Sequence, residues 1–293
     1  MDIKVLRYFL AVAREGNITK AAEAIHISQP SLSVQLKDLE RELGQELLLR
    51  GKRQITLTDA GKLLYQRAEE IVALADKAEK ELQYGGHIAG ELSIGSGELA
   101  GMQYLMQAAL RLKQQYPNIQ YRLFNGDADA ITDRLDKGLL DFGILLEPVN
   151  VGKYVRLPLP VNDNWGLLLP ANSWLAEKAA ITMGELQELP LIMPERNDLQ
   201  REISSWMPRI GAELRPMATY NTIQCGILLV EQGFGYAIVM ENLAAACKQK
   251  GLCFRPLEQA ASVQFSLAWK RNKLLSKAAE KFLLEVQAVI AEK

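Results

Sequence analysis

Apolar residues at Leu6, Phe9, Leu10 and Ala13 recur at three- and four-residue steps and stop at Gly16, a spacing that predicts a first helix. Asn17 and Thr19 are candidate caps for a short second helix from Lys20 to Ile25, in which Ala21 and Ala22 are small enough for another helix to cross closely. His26-Ile27-Ser28 reads as a tight turn. Ser28 is placed to cap a third helix, Pro30 suits its first turn, and Gly44 ends it. Along that helix Leu32, Leu36, Leu39 and Leu43 step by four, three and four on one face. The run Leu47-Leu48-Leu49 and the alternating Gln54-Ile55-Thr56-Leu57 flank Arg50-Gly51-Lys52-Arg53, which predicts a β-hairpin with a basic tip.

Three helical stripes with a short second helix and a three-residue turn fit a helix-turn-helix, whose third helix would offer Gln29, Ser31, Ser33, Val34 and Lys37 to a major groove. Spacing alone fits an ordinary helical pair in a small bundle equally well. The hairpin favours the first reading, because a cationic wing can grip phosphates while the helix beside it reads base edges.

From Thr58 to Tyr84 the chain contains no proline, and it then meets Gly85-Gly86. Leu64, Ala68, Ile71, Ala75, Ala78 and Leu82 step by four and three, a heptad seam. Helices meet along seams like this, and the alternative is that the stripe packs on the body of the protein itself.

Beyond residue 87 the periodicity changes. Glu91 to Ile94, Ile119 to Phe124 and Asp141 to Leu145 predict strands, separated by helices from about Leu99 to Gln115 and from Ala128 to Lys137. This βαβαβ alternation predicts a parallel sheet covered by helices, with ligands at the carboxyl ends of its strands. A second α/β set starts near Trp165 to Pro170 and includes Leu191 to Met193, the helix Thr222 to Gln232 and the strand Tyr236 to Met240. Phe265 to Trp269 is a late strand before a final helix, Ser276 to Ala291. Gly95-Ser96-Gly97 lacks the full spacing of a nucleotide-binding loop, Gly233-Phe234-Gly235 follows a helix rather than opening one, and Ser96 lacks the setting of a nucleophile elbow.

Composition narrows the class. The chain has 293 residues, 48% hydrophobic and 24% charged, which is ordinary globular usage at a length that fits two or more units. No run approaches the ~18 apolar residues of a membrane span, and the charged N-terminus has no secretory signal, so the cytosol is the expected location. Cys225, Cys247 and Cys253 form neither an even framework nor a CxxC pair, and the two histidines, His26 and His87, give little material for metal or triad chemistry. Overall charge is −1, but residues 1–58 hold nine lysines and arginines against seven acids, a net of +2.

The density of Asn17-Ile18-Thr19-Lys20-Ala21-Ala22, Ser28-Gln29-Pro30-Ser31-Leu32-Ser33, Leu39-Glu40, Leu43-Gly44, Leu47 to Arg50, Arg53 and Leu57-Thr58-Asp59-Ala60-Gly61 resembles the LysR-type transcriptional regulators. Leu48-Leu49 departs from it, since that family commonly has phenylalanine after the leucine. The resemblance implies a mainly helical winged helix-turn-helix over 1–58, a linker and dimerisation helix over 59–86, and a periplasmic-binding-protein-like α/β effector domain over 87–293. That domain would have two lobes, 87–161 with 265–293 and 162–264, joined by crossovers near 161 and 265.

It further implies an operator-binding homodimer or homotetramer, a small-molecule effector, RNA polymerase as a candidate partner, no cofactor and no catalysis. Gln29, Pro30, Ser31, Ser33, Val34, Lys37, Arg50, Lys52 and Arg53 are the expected DNA contacts. Ser96, Gly97, Glu98, Leu99, Ala100, Asp127, Pro194, Arg196, Asn221 and Thr222 fall at strand ends and helix starts and are the expected effector cleft. Where many members of the family carry hydroxyl residues, this chain has Leu99 and Asp127, so a ligand bearing hydroxyls or an amino group is expected, with Arg196 holding any acid. Glu98 and Asp127 would serve equally well as helix caps. The rival class is a small-molecule enzyme or a solute-binding protein on the same lobes. A solute receptor needs export and an enzyme needs a catalytic constellation, and neither is visible in the sequence.

Overall fold

A computed structural model describes residues 1–51, 54–83, 88–195, 197–205, 214–245, 251–258, 260 and 262–292. The chain divides into two compact units, residues 1–85 and 86–293.

The first unit consists of helices α1 (Ile3–Glu15), α2 (Ile18–Ala24) and α3 (Gln29–Leu43), the antiparallel hairpin β1 (Leu48–Arg50) and β2 (Ile55–Leu57), and the long helix α4 (Asp59–Gln83). The start of each short helix is set locally. The Asp2 carboxylate accepts from Lys4 N–H, the Asn17 Oδ1 from Thr19 and Lys20 N–H, and the Ser28 hydroxyl from Ser31 N–H. Because Asn17 is the cap, α2 begins at Ile18 rather than at Lys20. Gly44 ends α3 at φ +64°, a left-handed conformation that strains any residue with a Cβ. Leu6, Phe9, Leu10, Ala21, Ala22, Leu32, Leu36, Leu39, Leu47 and Leu48 close the core between these elements.

Thr58 joins the hairpin to α4: its hydroxyl donates to the Glu46 carbonyl at 2.7 Å and accepts from Gly61 N–H at 2.9 Å. Gly61 lies so close to the Leu47 carbonyl that a Cβ there would stand 2.1 Å from its oxygen. The heptad seam along α4 is corrected by the structure, because only part of it packs on the unit's own core. Ala68 is fully buried in the unit's own core with Leu64, Tyr65 and Val72 packed around it, and Arg7–Asp76 and Arg14–Glu69 ion pairs hold α1 against α4. Ile71, Leu74 and Leu82 stay exposed at 36%, 39% and 82%. Heptad spacing cannot tell the buried half from the exposed one, since both carry the same apolar side chains.

In the second unit β3 (Gly90–Ser96), α5 (Met102–Gln115), β4 (Ile119–Asn125), α6 (Ala128–Asp136) and β5 (Phe142–Leu146) form the βαβαβ element, with β3 parallel to both β4 and β5. The sheet is not wholly parallel. β6 (Tyr154–Asp163) and β12 (Val263–Lys270) complete the order β4-β3-β5-β12-β6, with β12 antiparallel to both of its neighbours. α5 starts at Met102 rather than near Leu99, because Leu99 N–H bonds the Gly97 carbonyl and Met102 N–H bonds the Leu99 carbonyl in a tight turn.

The second lobe contains β7 (Trp165–Pro170), β8 (Leu191–Pro194), α7 (Asn197–Ser204), β9 (Ala218–Tyr220), α8 (Ile223–Glu231), β10 (Tyr236–Met240), α9 (Glu241–Ala245) and β11 (Leu252–Pro256), with strand order β11-β7-β10-β8-β9. The final helix, α10 (Lys277–Ala291), capped by Ser276, packs on α5. The chain passes between the sheets at Asn164 and again between Pro256 and Val263, where 161 and 265 were expected. Strands β6, β9 and β11 are absent from the sequence reading, and all three are sheet edges. β6 carries Pro158 and Pro160, which lack an N–H and read as strand breakers, yet an edge tolerates them. One apolar core that includes Leu105, Leu159, Trp165, Leu167, Val263, Phe265 and Phe282 runs through both lobes.

Asp141, buried at 2% exposure, accepts from Ser93 N–H at 2.9 Å and from Lys273 Nζ at 3.1 Å, while Lys273 also donates to the Leu140 carbonyl at 3.2 Å. This pair fixes the segment ahead of α10 to the start of β5. Removing one partner of a buried pair costs about 3–5 kcal/mol. Lys273→Met should therefore lower the urea midpoint with little change in slope; a midpoint equal to wild type would mean that the pair is screened by solvent.

Candidate DNA-reading surface and effector cleft

Leu32, Leu36 and Leu39 point α3 into the core, which turns the opposite face outward. On that face Gln29, Pro30, Ser31, Val34 and Lys37 are exposed and Ser33 is half-buried. An isoleucine or leucine would be unremarkable in a core, but Val34 at 54% exposure is an apolar contact surface set among donors and acceptors, the mixture that base edges in a major groove require. His26, at φ 56°, and Ile27, whose N–H bonds the Ala22 carbonyl at 3.0 Å, make the turn from α2 into α3.

The hairpin is positioned by Glu40, whose Oε1 accepts from Leu47 N–H at 2.9 Å and Leu48 N–H at 3.1 Å. Ile55 N–H bonds the Gly16 carbonyl at 2.8 Å, which ties the second strand to the end of α1. Arg50 ends β1, paired with Ile55. Lys52 and Arg53 lie outside the described residues, as does the side chain of Arg50. Glu40, which enters the sequence reading only through the family resemblance, is a positioning residue, a role that a glutamate on a helix surface does not signal because its partners lie seven and eight residues on.

In the second unit the expected cleft segments meet pairwise. Gly126 N–H bonds the Ser96 carbonyl at 3.2 Å, bringing Asp127 beside residues 96–100, and Glu195 N–H bonds the Tyr220 carbonyl at 2.7 Å, bringing Pro194 beside Asn221 and Thr222. The lobes are then linked by Glu98, whose Oε2 accepts from Ile223 N–H at 2.8 Å. Glu98, Ala100, Asp127 and Thr222 are half-buried and Asn221 is exposed. Other residues of the set are committed elsewhere. Leu99 belongs to the apolar core, Gly97 and Pro194 are buried, and the buried Ser96 hydroxyl donates to the Gly97 carbonyl at 2.8 Å. Arg196 lies outside the described residues.

Both carboxylates cap helices, in different ways. Asp127 caps its own α6 by accepting from Ala130 N–H at 2.8 Å. Glu98 caps α8, in the other lobe, where Thr222 makes no side-chain capping bond and its hydroxyl turns to the Cys225 Sγ at 3.4 Å. A second link across the lobes joins Arg201 to Asp129 at 3.4 Å. Nothing in the spacing of these residues announces either link, since the partners are separated by 125 and 72 positions.

At the first crossover, burial pushes the Asp163 carboxyl above its ordinary range, hydrogen bonds from Asn242 and Asn164 pull it back, and the neighbouring Glu241 raises it again. Its Oδ1 accepts from Asn164 N–H at 3.0 Å and Asn242 N–H at 3.1 Å, which fixes where the chain leaves the first sheet. Among the described residues no group of three or more His, Cys, Asp and Glu side chains is placed to hold a metal ion, and no helix is long and apolar enough to cross a membrane.

Comparison with known proteins bears on the family and the fold. Residues 3–62 match the bacterial regulatory helix-turn-helix protein, lysR family, and residues 85–291 match the LysR substrate binding domain. The HTH-type transcriptional regulator BudR of Raoultella terrigena is 29% identical over 97% of this chain and 99% of its own. The Hca operon transcriptional activator HcaR of Escherichia coli (strain K12) is 28% identical over 99% of each. Among solved structures, CbnR, a LysR family transcriptional regulator, shares the fold with a TM-score of 0.77 at 21% identity over 99% of both chains. Full-length CbnR complexed with its target DNA gives 0.77 at 22% identity, over 99% of this chain and 100% of that one. With both of its units matched, the chain belongs to the LysR family of DNA-binding transcriptional regulators, proteins that carry an effector-binding domain and are not enzymes.

Proposed function

We propose that this regulator works in the cytosol as a homodimer or a pair of dimers on a roughly palindromic operator, with a small molecule between the lobes shifting the population of its DNA-bound arrangements. The observation that carries the DNA reading is the outward face of α3, where Gln29, Pro30, Ser31, Ser33, Val34 and Lys37 stand opposite a buried leucine stripe. Arg50, Lys52 and Arg53 supply phosphate contacts from the wing. RNA polymerase is a further partner.

The exposed Ile71, Leu74 and Leu82 of α4 form the dimer contact, because an apolar stripe of this length on a surface helix is stabilised by covering it. The effector carries hydroxyl or amino groups. Asp127 spends one oxygen on Ala130 N–H and keeps the other for a ligand donor, and Arg196 takes any acidic end.

The test is a gel-shift titration on the region upstream of the protein's own gene. Arg53→Ala should weaken binding to operator and random DNA alike and flatten the salt dependence by roughly one charge, whereas Gln29→Ala should mainly erode discrimination between them. Equal loss of specificity in both would end the assignment. Ile71→Glu places a carboxylate in an apolar contact at a cost on the order of several kcal/mol, so light scattering should show monomers; an intact dimer with full operator affinity would mean that the contact lies elsewhere. Once a ligand is found, calorimetry on Asp127→Ala should show weakened binding, and unchanged affinity would remove Asp127 from the site.

A further inference from the structure

The first N–H groups of a helix have no acceptor within the helix, and in most proteins a side chain just ahead of the helix supplies one. Helix α8 departs from this. Thr222, at its cap position, makes no capping bond, and the acceptor for Ile223 N–H arrives instead from the loop between β3 and α5 of the other lobe, as the Glu98 carboxylate at 2.8 Å. The bond is charge-assisted, partly buried and directed at the positive end of a helix dipole, three features that make it stronger than a surface pair. Among the described residues, the bond from Asn242 N–H to Asp163 joins the lobes at the crossover itself, and the remaining ion pair is weaker than the Glu98 bond by the same criteria. Arg201 and Asp129 stand 3.4 Å apart with side chains 67% and 56% exposed, where solvent screens them.

The covalent connections between the lobes are the two crossovers, at Asn164 and between Pro256 and Val263. Glu98 therefore does more than cap a helix: its carboxylate joins the loop of residues 96–100 to the start of α8. We propose that Glu98 is a latch that keeps the lobes engaged in the ligand-free protein, and that effector entry acts on DNA binding by releasing it. A ligand group that accepts from Ile223 N–H binds the unlatched arrangement more tightly than the latched one, and that difference is what shifts a population. The regulatory half of this proposal rests on the effector reading given above. The latch itself rests on the Glu98 bond alone.

The two halves separate in one experiment on the full chain without added ligand. Amide hydrogen exchange, read by mass spectrometry with residue-resolving fragmentation, should speed up at Ile223 on the order of tenfold in Glu98→Ala, the loss expected for one charge-assisted hydrogen bond. Glu98→Gln keeps an acceptor without the charge and should fall between wild type and the alanine variant. Exchange in strands β3 and β10 should be unchanged in both variants, which establishes that they are folded. Unchanged exchange at Ile223 in a folded Glu98→Ala would overturn the latch. Nuclease footprinting of the same proteins on operator DNA should show a pattern for Glu98→Ala that differs from ligand-free wild type; an identical footprint, with exchange altered, would overturn the coupling to DNA. Should wild type fail to protect any operator, the operator reading under the proposed function falls, and the exchange result still decides the latch.

Discussion

The N–H groups exposed at a helix start must find acceptors, and much of this molecule is organised by how each helix meets that demand. Asp2, Asn17, Ser28, Asp127 and Ser276 serve α1, α2, α3, α6 and α10 from the adjacent residue in the chain, which makes those helices self-contained. Thr58 satisfies α4 and at the same time donates to Glu46, so the long helix is anchored to the hairpin by one hydroxyl. Helix α8 is satisfied by a carboxylate from another lobe. The same constraint thus yields rigid local pieces in the DNA-binding unit and a long-range connection in the effector domain.

In the first unit, burial and exposure are divided along single helices. The three leucines of α3 leave the opposite face on the surface, and α4 gives Leu64 and Ala68 to its own core while leaving Ile71, Leu74 and Leu82 exposed. Ion pairs from Arg7 and Arg14 to α4 reinforce the division. In the proposed dimer, a rigid attachment between α3 and α4 would let the protein fix half-site spacing.

In the second unit the lobes share an apolar core near the crossovers and meet through polar groups at the cleft. Apolar contacts of this kind are non-directional and tolerate small rotations, whereas a hydrogen bond at 2.8 Å is either made or broken. A cleft held by the second kind of contact can switch between discrete arrangements.

The amino-acid sequence by itself determined the helices of the first unit, because apolar period, capping residues such as Asn17 and Ser28, and Gly44 are all local, and local groups specify local conformation. It also determined the βαβαβ order, since runs of β-branched and leucine residues alternate with helical stripes. The tertiary structure decided what depends on distant neighbours. Pro158 and Pro160 belong to a strand because that strand lies on an edge, where a missing N–H leaves no ladder bond unmade. Leu64 and Ala68 became core because α1 crosses α4 there. Leu99 turned inward, and Glu98 beside it reached a helix 125 positions away, a pairing that no spacing rule encodes because only the packing of two lobes brings those atoms together.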